Sequence, residues 1–185
     1  MKCIDLTEEP ALHQAAAGVL MDAFLAKGNK AWPTLERARQ TVDECIATPN
    51  VCVGVLSNGT LAGWGGLRPM YDKTWELHPL VVAPAQQGLG VGRELLLALE
   101  QRARDRGLIG IVLGSDDEFF ETSLSHADIH GGNALVELQQ LTNVNHHPFE
   151  FYQKCGYSVV GLIPNANGKN KPDIWMWKDL TVDRL

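Results

Sequence analysis

No two of the four cysteines, Cys3, Cys45, Cys52 and Cys155, stand in a C-x-x-C pair or at a zinc-binding spacing. A dithiol redox pair and a zinc module are thereby excluded, and reduced, mostly buried thiols are the expectation. Long apolar runs are missing too: no segment approaches the roughly 18 residues that carry a helix across a bilayer. Nor does the chain open on a basic leader followed by an apolar stretch. The sequence therefore reads as a cytoplasmic protein with no membrane partner. Positive charge is in short supply, with 16 Lys and Arg against 22 Asp and Glu, a formal net charge of -6 and a pI of about 5.5. That balance argues against a nucleic-acid partner and suits a cationic one. Internal repeats and low-complexity tracts are absent, as is the Gly-Lys-Ser/Thr ending of a nucleotide-binding P-loop.

What is present fits one domain over residues 1–185, since 45% apolar residues in a chain of 185 suffice for a single core. Lys2 to Leu6 predicts a short strand. Thr7 is placed to cap a helix from about Glu8 to Lys27, with Glu8 and Glu9 in its first turn, Pro10 close behind and Gly28-Asn29 at its end. Thr34 caps a second helix to about Ala47, stopped by Thr48-Pro49-Asn50. Val51 to Leu56 and Leu61 to Leu67 are strands joined by the hairpin signal Asn58-Gly59. Lys73 to Val82 is the next strand. A helix from Val91 to Arg106 puts Val91, Leu95, Leu99 and Ala103 near one face and ends at Gly107. Leu108 to Leu113 reads as a buried strand. From Gly114 to His147 the pattern fails, apart from a helix expected over Asn133 to Leu141. Pro148 opens a helix through Cys155, with Gly156 behind it. Tyr157 to Ile163 and Asp173 to Lys178 are the last strands.

The organising stretch is Trp75 to Gly107, an apolar strand that runs through a glycine-rich turn into a helix. The first N–H groups of a helix have no internal partner and sit at the positive end of its dipole, so such a turn can cradle an anion. A dinucleotide fingerprint is excluded because, counting from Gly88, its third glycine falls on Arg93. What fits is Gln-x-x-Gly-x-Gly from Gln87 to Gly92, whose glycines let backbone curl around a diphosphate. Pro79 interrupts the strand ladder and should sit where pairing lapses.

This Gln-x-x-Gly-x-Gly loop resembles that of the GNAT family of N-acetyltransferases. The blocks Trp75-Glu76-Leu77-His78-Pro79-Leu80-Val81-Val82, Leu113-Gly114-Ser115-Asp116-Asp117, His147 to Tyr157, Leu162 to Gly168 and Lys171 to Met176 together look like its aminoglycoside 6′-N-acetyltransferases. The resemblance covers about Trp32 to Lys178. It implies an α+β domain whose mixed, mostly antiparallel sheet has splayed central strands and helices on both faces, an order the predicted elements match. It also implies acetyl-CoA as co-substrate, an aminoglycoside or other polycationic amine as acceptor, antibiotic resistance as role, and a homodimer. The diphosphate would lie on Gln87, Gly88, Leu89, Gly90, Val91, Gly92 and Arg93, and the pantetheine arm along the backbone of Leu80, Val81 and Val82. Gln86-Gln87 depart from the arginines the family often has there.

Acetyl transfer from a thioester to an amine needs an unprotonated amine, an oxyanion stabiliser and a proton for the departing thiolate. Glu76 and His78 share a strand face and can orient or deprotonate the amine, directly or through water. Asp116 resembles the family's amine-binding acid and is the second candidate for the base. Leu80 N–H is the expected oxyanion donor, and Tyr152 resembles the family's general acid. Trp32 and Tyr71 resemble residues lining the sugar pocket, and Glu137 joins Asp116, Asp117, Glu118, Glu121 and Asp128 in an acidic segment suited to several ammonium groups. No metal is expected: His126 and His130 are four apart, but Gly131-Gly132 argues against the helix that would align them. Two alternatives stay open, an acetyltransferase of another small amine such as a polyamine or peptide N-terminus, and a non-catalytic protein that binds acyl-CoA or drug.

Overall fold

Asn58 and Gly59 hold φ of 50° and 80°, the left-handed conformation that a two-residue hairpin turn needs. They join β2 (Val51–Ser57) to β3 (Thr60–Pro69), as the sequence predicts. In the computed structural model, which describes residues 1–182, the chain divides into two units, Met1–Ile111 and Val112–Leu185. The first unit orders β1 (Lys2–Asp5), β2, β3 and β4 (Thr74–Val82) side by side, each antiparallel to the next.

Helices α1 (His13–Ala26) and α2 (Leu35–Ile46) bury Ala16, Ala17, Leu20, Ala38, Val42 and Cys45 in one cluster with Trp64 and Val81 of the sheet. Thr34 caps α2 as expected, its side chain accepting Arg37 N–H at 3.2 Å. Trp64 is fully buried and donates its indole N–H to Ala16 O at 2.8 Å, tying α1 to the sheet. Trp64→Phe should therefore lower the unfolding free energy by about 2 kcal/mol, combining a lost hydrogen bond with a smaller ring. A urea titration checks this, and an unchanged midpoint would remove Trp64 as that tie. On α3 (Val91–Asp105) the predicted stripe Val91, Leu95, Leu99 and Ala103 is buried, and Gly107 ends the helix at φ 71°.

The expected helix start at Glu8 is a correction. Asp5, not Thr7, is the cap: its carboxylate accepts Thr7 N–H at 3.0 Å and Thr7 Oγ1–H at 2.6 Å. Two 3-10 turns, Leu6–Glu8 and Pro10–Leu12, precede α1. Cys3 is exposed and Cys155 half-buried, so only Cys45 and Cys52 are the buried thiols anticipated.

Strand β4 carries an extra residue. Gly65 pairs with Leu80 and Leu67 with Leu77, so His78 and Pro79 together oppose Gly66 alone, which is a β-bulge. Pro79 thus interrupts the ladder against β3. Paired residues share a face: Arg68 and Glu76 stand on the α1/α2 face with Trp64, whereas Leu77 and Leu80 stand with Gly65 on the α3 face, where a Cβ on Gly65 would lie 3.2 Å from Leu99.

The unit boundary falls inside β5 (Gly110–Asp116), which runs three residues past the predicted Leu113. In the second unit β5, β7 (Asp173–Asp179) and β6 (Ser158–Ile163) are neighbours in that order, β6 and β7 antiparallel. The irregular segment holds a 3-10 turn, Ser123–His126, and a helix α4 (Ala134–Gln139) shorter than expected; α5 (Phe149–Lys154) follows Pro148. Among the described residues no helix is long and apolar enough to cross a membrane.

Candidate functional site

The cradle lies wholly in the first unit. After β4 the chain makes a 3-10 turn, Pro84–Gln86, and Gln87 folds back to donate its side-chain amide to Val82 O at 3.2 Å. Gly88 and Gly90 follow at φ 75° and 87°, and Gly90 is the N-cap residue of α3. No side chain caps that helix start, so the N–H groups of its first turn keep their outward direction. A Cβ on Gly88 would meet nothing within 4 Å, leaving open space above the turn. Arg93 is exposed in the first turn of α3. An uncapped helix start behind two left-handed glycines, with a cation beside it, fits a diphosphate.

Along β4, Glu76, His78, Leu80 and Val82 are half-buried while Leu77, Pro79 and Val81 are buried. A Cβ on Gly66 would lie 2.9 Å from His78 O, so only glycine lets β3 pass the bulge this closely. Cys45 donates its thiol to His78 O at 3.6 Å, and burial pushes that thiol up to about 12. Glu76 is tied to Arg68: Nε donates to Oε2 at 2.6 Å and Nη2 to Oε1 at 3.0 Å. Trp32 packs edge-on against Phe24 with ring centroids 4.4 Å apart and donates its indole N–H to Thr41 Oγ1 at 2.7 Å. Its ring is thus built into the α1/α2 layer. Tyr71, at the tip of the β3–β4 hairpin, is 63% exposed and free to meet a ligand.

In the second unit Asp116 is exposed at the end of β5. Asn167 donates to its Oδ1, and His147 Nε2 lies 3.1 Å from its carbonyl oxygen. Asp117, one residue on, is fully buried and accepts from Glu121 N–H at 2.7 Å, Thr122 N–H at 2.9 Å, Thr122 Oγ1–H at 2.7 Å and the Ser125 hydroxyl. Burial raises its pKa, but hydrogen bonds from Ser125, Glu121 and Thr122 outweigh that and hold it below the usual carboxylate range. Asp117, Glu121 and His147 bring ligand-type atoms within 4.8 Å of one another, yet Asp117 is already filled by those four donors. His126 and His130 turn instead to backbone, at Phe120 O and Gly132 N–H. Glu137 on α4 is half-buried, with the Asn133 amide 3.5 Å from Oε1. Tyr152 stacks edge-on with Phe151 and Tyr157, centroids 5.1 and 5.9 Å away, and burial, then Cys155, push its phenol pKa up.

The sequence profile of the acetyltransferase (GNAT) family matches residues 18–122. The chain belongs to that family. Among the described residues β1 to β4 pair antiparallel in the first unit, as β6 and β7 do in the second, and helices accompany them, as in that family's fold. Over its whole length this GNAT chain is similar to an aminoglycoside 6′-N-acetyltransferase solved with coenzyme A, at 33% identity and a TM-score of 0.87, covering 99% of that chain. It is equally similar to the aminoglycoside 6′-N-acetyltransferase from Enterococcus faecium, at 33% identity, 0.86 and 99%. N-alpha-acetyltransferase RimI of Mycobacterium tuberculosis is 34% identical over 104 residues, 53% of this chain and 61% of that protein, so the match spans about three fifths of that relative's length.

Two site residues escaped sequence reasoning in this GNAT chain. Arg68 was hidden because its partner is set by the bulge, and Asn167 because the turn Pro164 to Gly168 shows only that it must be ordered. For Arg68 the available signal was a cation at the end of a strand predicted to pair with the one carrying Glu76.

Proposed function

We propose that this acetyltransferase acts on the 6′-amine of aminoglycosides, with acetyl-CoA as donor, by direct transfer in a ternary complex, and that resistance is its role. The observation that carries this reading is the likeness along the entire chain to two aminoglycoside 6′-N-acetyltransferases, together with a diphosphate cradle on the strand that bears Glu76. When bound, acetyl-CoA supplies an acetyl group already activated as a thioester. The N–H groups from Gly88 to Arg93 hold its diphosphate, and the Leu80 to Val82 backbone receives the pantetheine arm.

The remaining work falls to side chains. In the overall exchange the amine nitrogen bonds to the acetyl carbon, the carbon–sulfur bond breaks, the nitrogen gives up a proton and the thiolate gains one. Glu76, with His78 beside it, orients the amine or takes its proton through water, and Asp116 is the other candidate for that task. Leu80 N–H donates to the oxygen on which negative charge develops. Tyr152 delivers the proton to sulfur. Tyr71 supplies an exposed ring face for a cationic sugar, and Glu137 is a candidate carboxylate for its ammonium groups.

A second reading, acetylation of a protein N-terminus, is favoured by the likeness to RimI. Release of CoA thiol with kanamycin, spermidine and a test peptide separates the two. Turnover with kanamycin far above the others is expected. Turnover with the peptide alone would replace the first reading by the second, and binding of ligands without thiol release would make the protein a non-catalytic binder.

A further inference from the structure

Arg68 has no task in the scheme above, yet it holds both oxygens of Glu76. It stands directly across from Glu76 in the β3–β4 register and forks onto the carboxylate at 2.6 and 3.0 Å. The hydrogen bonds to Glu76 raise the Arg68 pKa against the opposing effect of burial, so the guanidinium stays charged. With the Arg68 and Glu76 side chains 47% and 23% exposed, the pair is open to an arriving molecule. Each carboxylate oxygen offers two lone pairs. The fork takes one on each and leaves one on each for a further N–H. Glu44 and Cys45 of α2 also act on Arg68, weakly; Cys45 is an uncharged thiol at neutral pH.

The fork makes the pair neutral, and that decides what kind of amine it can hold. A bare carboxylate beside a basic nitrogen favours the ammonium, because opposite charge stabilises the charged form. An ammonium has no lone pair with which to attack. A carboxylate already neutralised by a guanidinium still accepts an N–H but exerts little pull on the proton, and the two-point contact fixes its direction. We infer that Arg68 is a positioning residue which, by clamping Glu76, lets the site hold its substrate as the free amine instead of trapping it as the ammonium. The proton leaves for solvent water before attack. This rests on the reading of Glu76 as the residue that orients the amine.

The test compares the wild type with Arg68→Gln and Arg68→Lys at pH 7, measuring kcat, both KM values, the calorimetric affinity for kanamycin with CoA present, and Tm. Arg68→Gln should lower kcat about tenfold while kanamycin binds about threefold more tightly. The acetyl-CoA KM and Tm should stay unchanged. Arg68→Lys, which keeps the charge but loses the fork, should return kanamycin affinity to the wild-type value and restore kcat only in part. Unchanged kcat in Arg68→Gln, weaker kanamycin binding, or a loss shared with acetyl-CoA KM and Tm would each overturn the inference. If the wild type itself releases no thiol with any amine, the reading of the function fails first and the inference falls with it. If it turns over and Arg68→Gln matches it, the inference falls alone.

Discussion

Gly90→Val is expected to raise the KM for acetyl-CoA about tenfold or more while leaving the KM of the amine within about twofold. Gly90 sits at φ 87° as the N-cap of α3, a conformation that costs an L-residue about 1–2 kcal/mol and a β-branched one more. The substituted chain relieves this by turning Gly90 out of the left-handed region, which re-aims the N–H groups that follow. These groups act together, because a diphosphate is held by several weak donors pointing to one place. Gly90→Ala should show the same effect to a lesser degree. Steady-state kinetics with each substrate varied in turn, alongside Tm, decide the matter. An acetyl-CoA KM unaltered in both variants would mean that the glycine turn is not the diphosphate site.

Asp117→Asn should cost about 3 kcal/mol of stability at pH 7, because it turns an amide N–H toward donors that now meet a carboxylate. The side chain is fully buried and four donors converge on it from Glu121, Thr122 and Ser125. The pH dependence has a definite sign. The folded pKa lies below the ordinary value, so the contribution is fully present above the unfolded pKa of about 4 and fades as pH falls through the lower folded value. Urea titrations from pH 3 to 8 should give a gap between wild type and variant that is flat at the high end and narrows at the low end. A gap that widens in acid would contradict the depressed carboxylate.

The parts of the fold legible in the sequence are those decided by neighbours in the chain. The Asn58-Gly59 turn, the Thr34 cap and the Val91 to Ala103 stripe each follow from local chemistry, and each is where it was expected. The start of the first helix was not legible, because Asp5 captures Thr7 and the chain turns twice before α1 begins. The segment after Gly114 was opaque for a related reason. Part of its order comes from one carboxylate collecting donors four to eight residues further on, and composition shows only an acidic run. A hint was present: if β5 is carried past Leu113, strand alternation places Ser115 and Asp117 inside and Gly114 and Asp116 outside. The sequence pointed to Glu76, whereas for Arg68 it offered only a cation at the end of the neighbouring strand, and the register that brings the two together is set by the bulge.

One added residue at His78-Pro79 acts as a phase shift in β4. Strict alternation counted back from Leu80 would put Glu76 on the α3 side; the bulge takes up one residue and returns it to the layer of Arg68. A single-residue deletion there would straighten the ladder, so that Gly66 opposes one residue, and would leave Glu76 across from Arg68 on the α1/α2 layer. The bulge therefore lets β4 carry one residue more than its partner while Glu76 keeps the side that its place across from Arg68 gives it, so a change of length at this point can be absorbed without moving the acid.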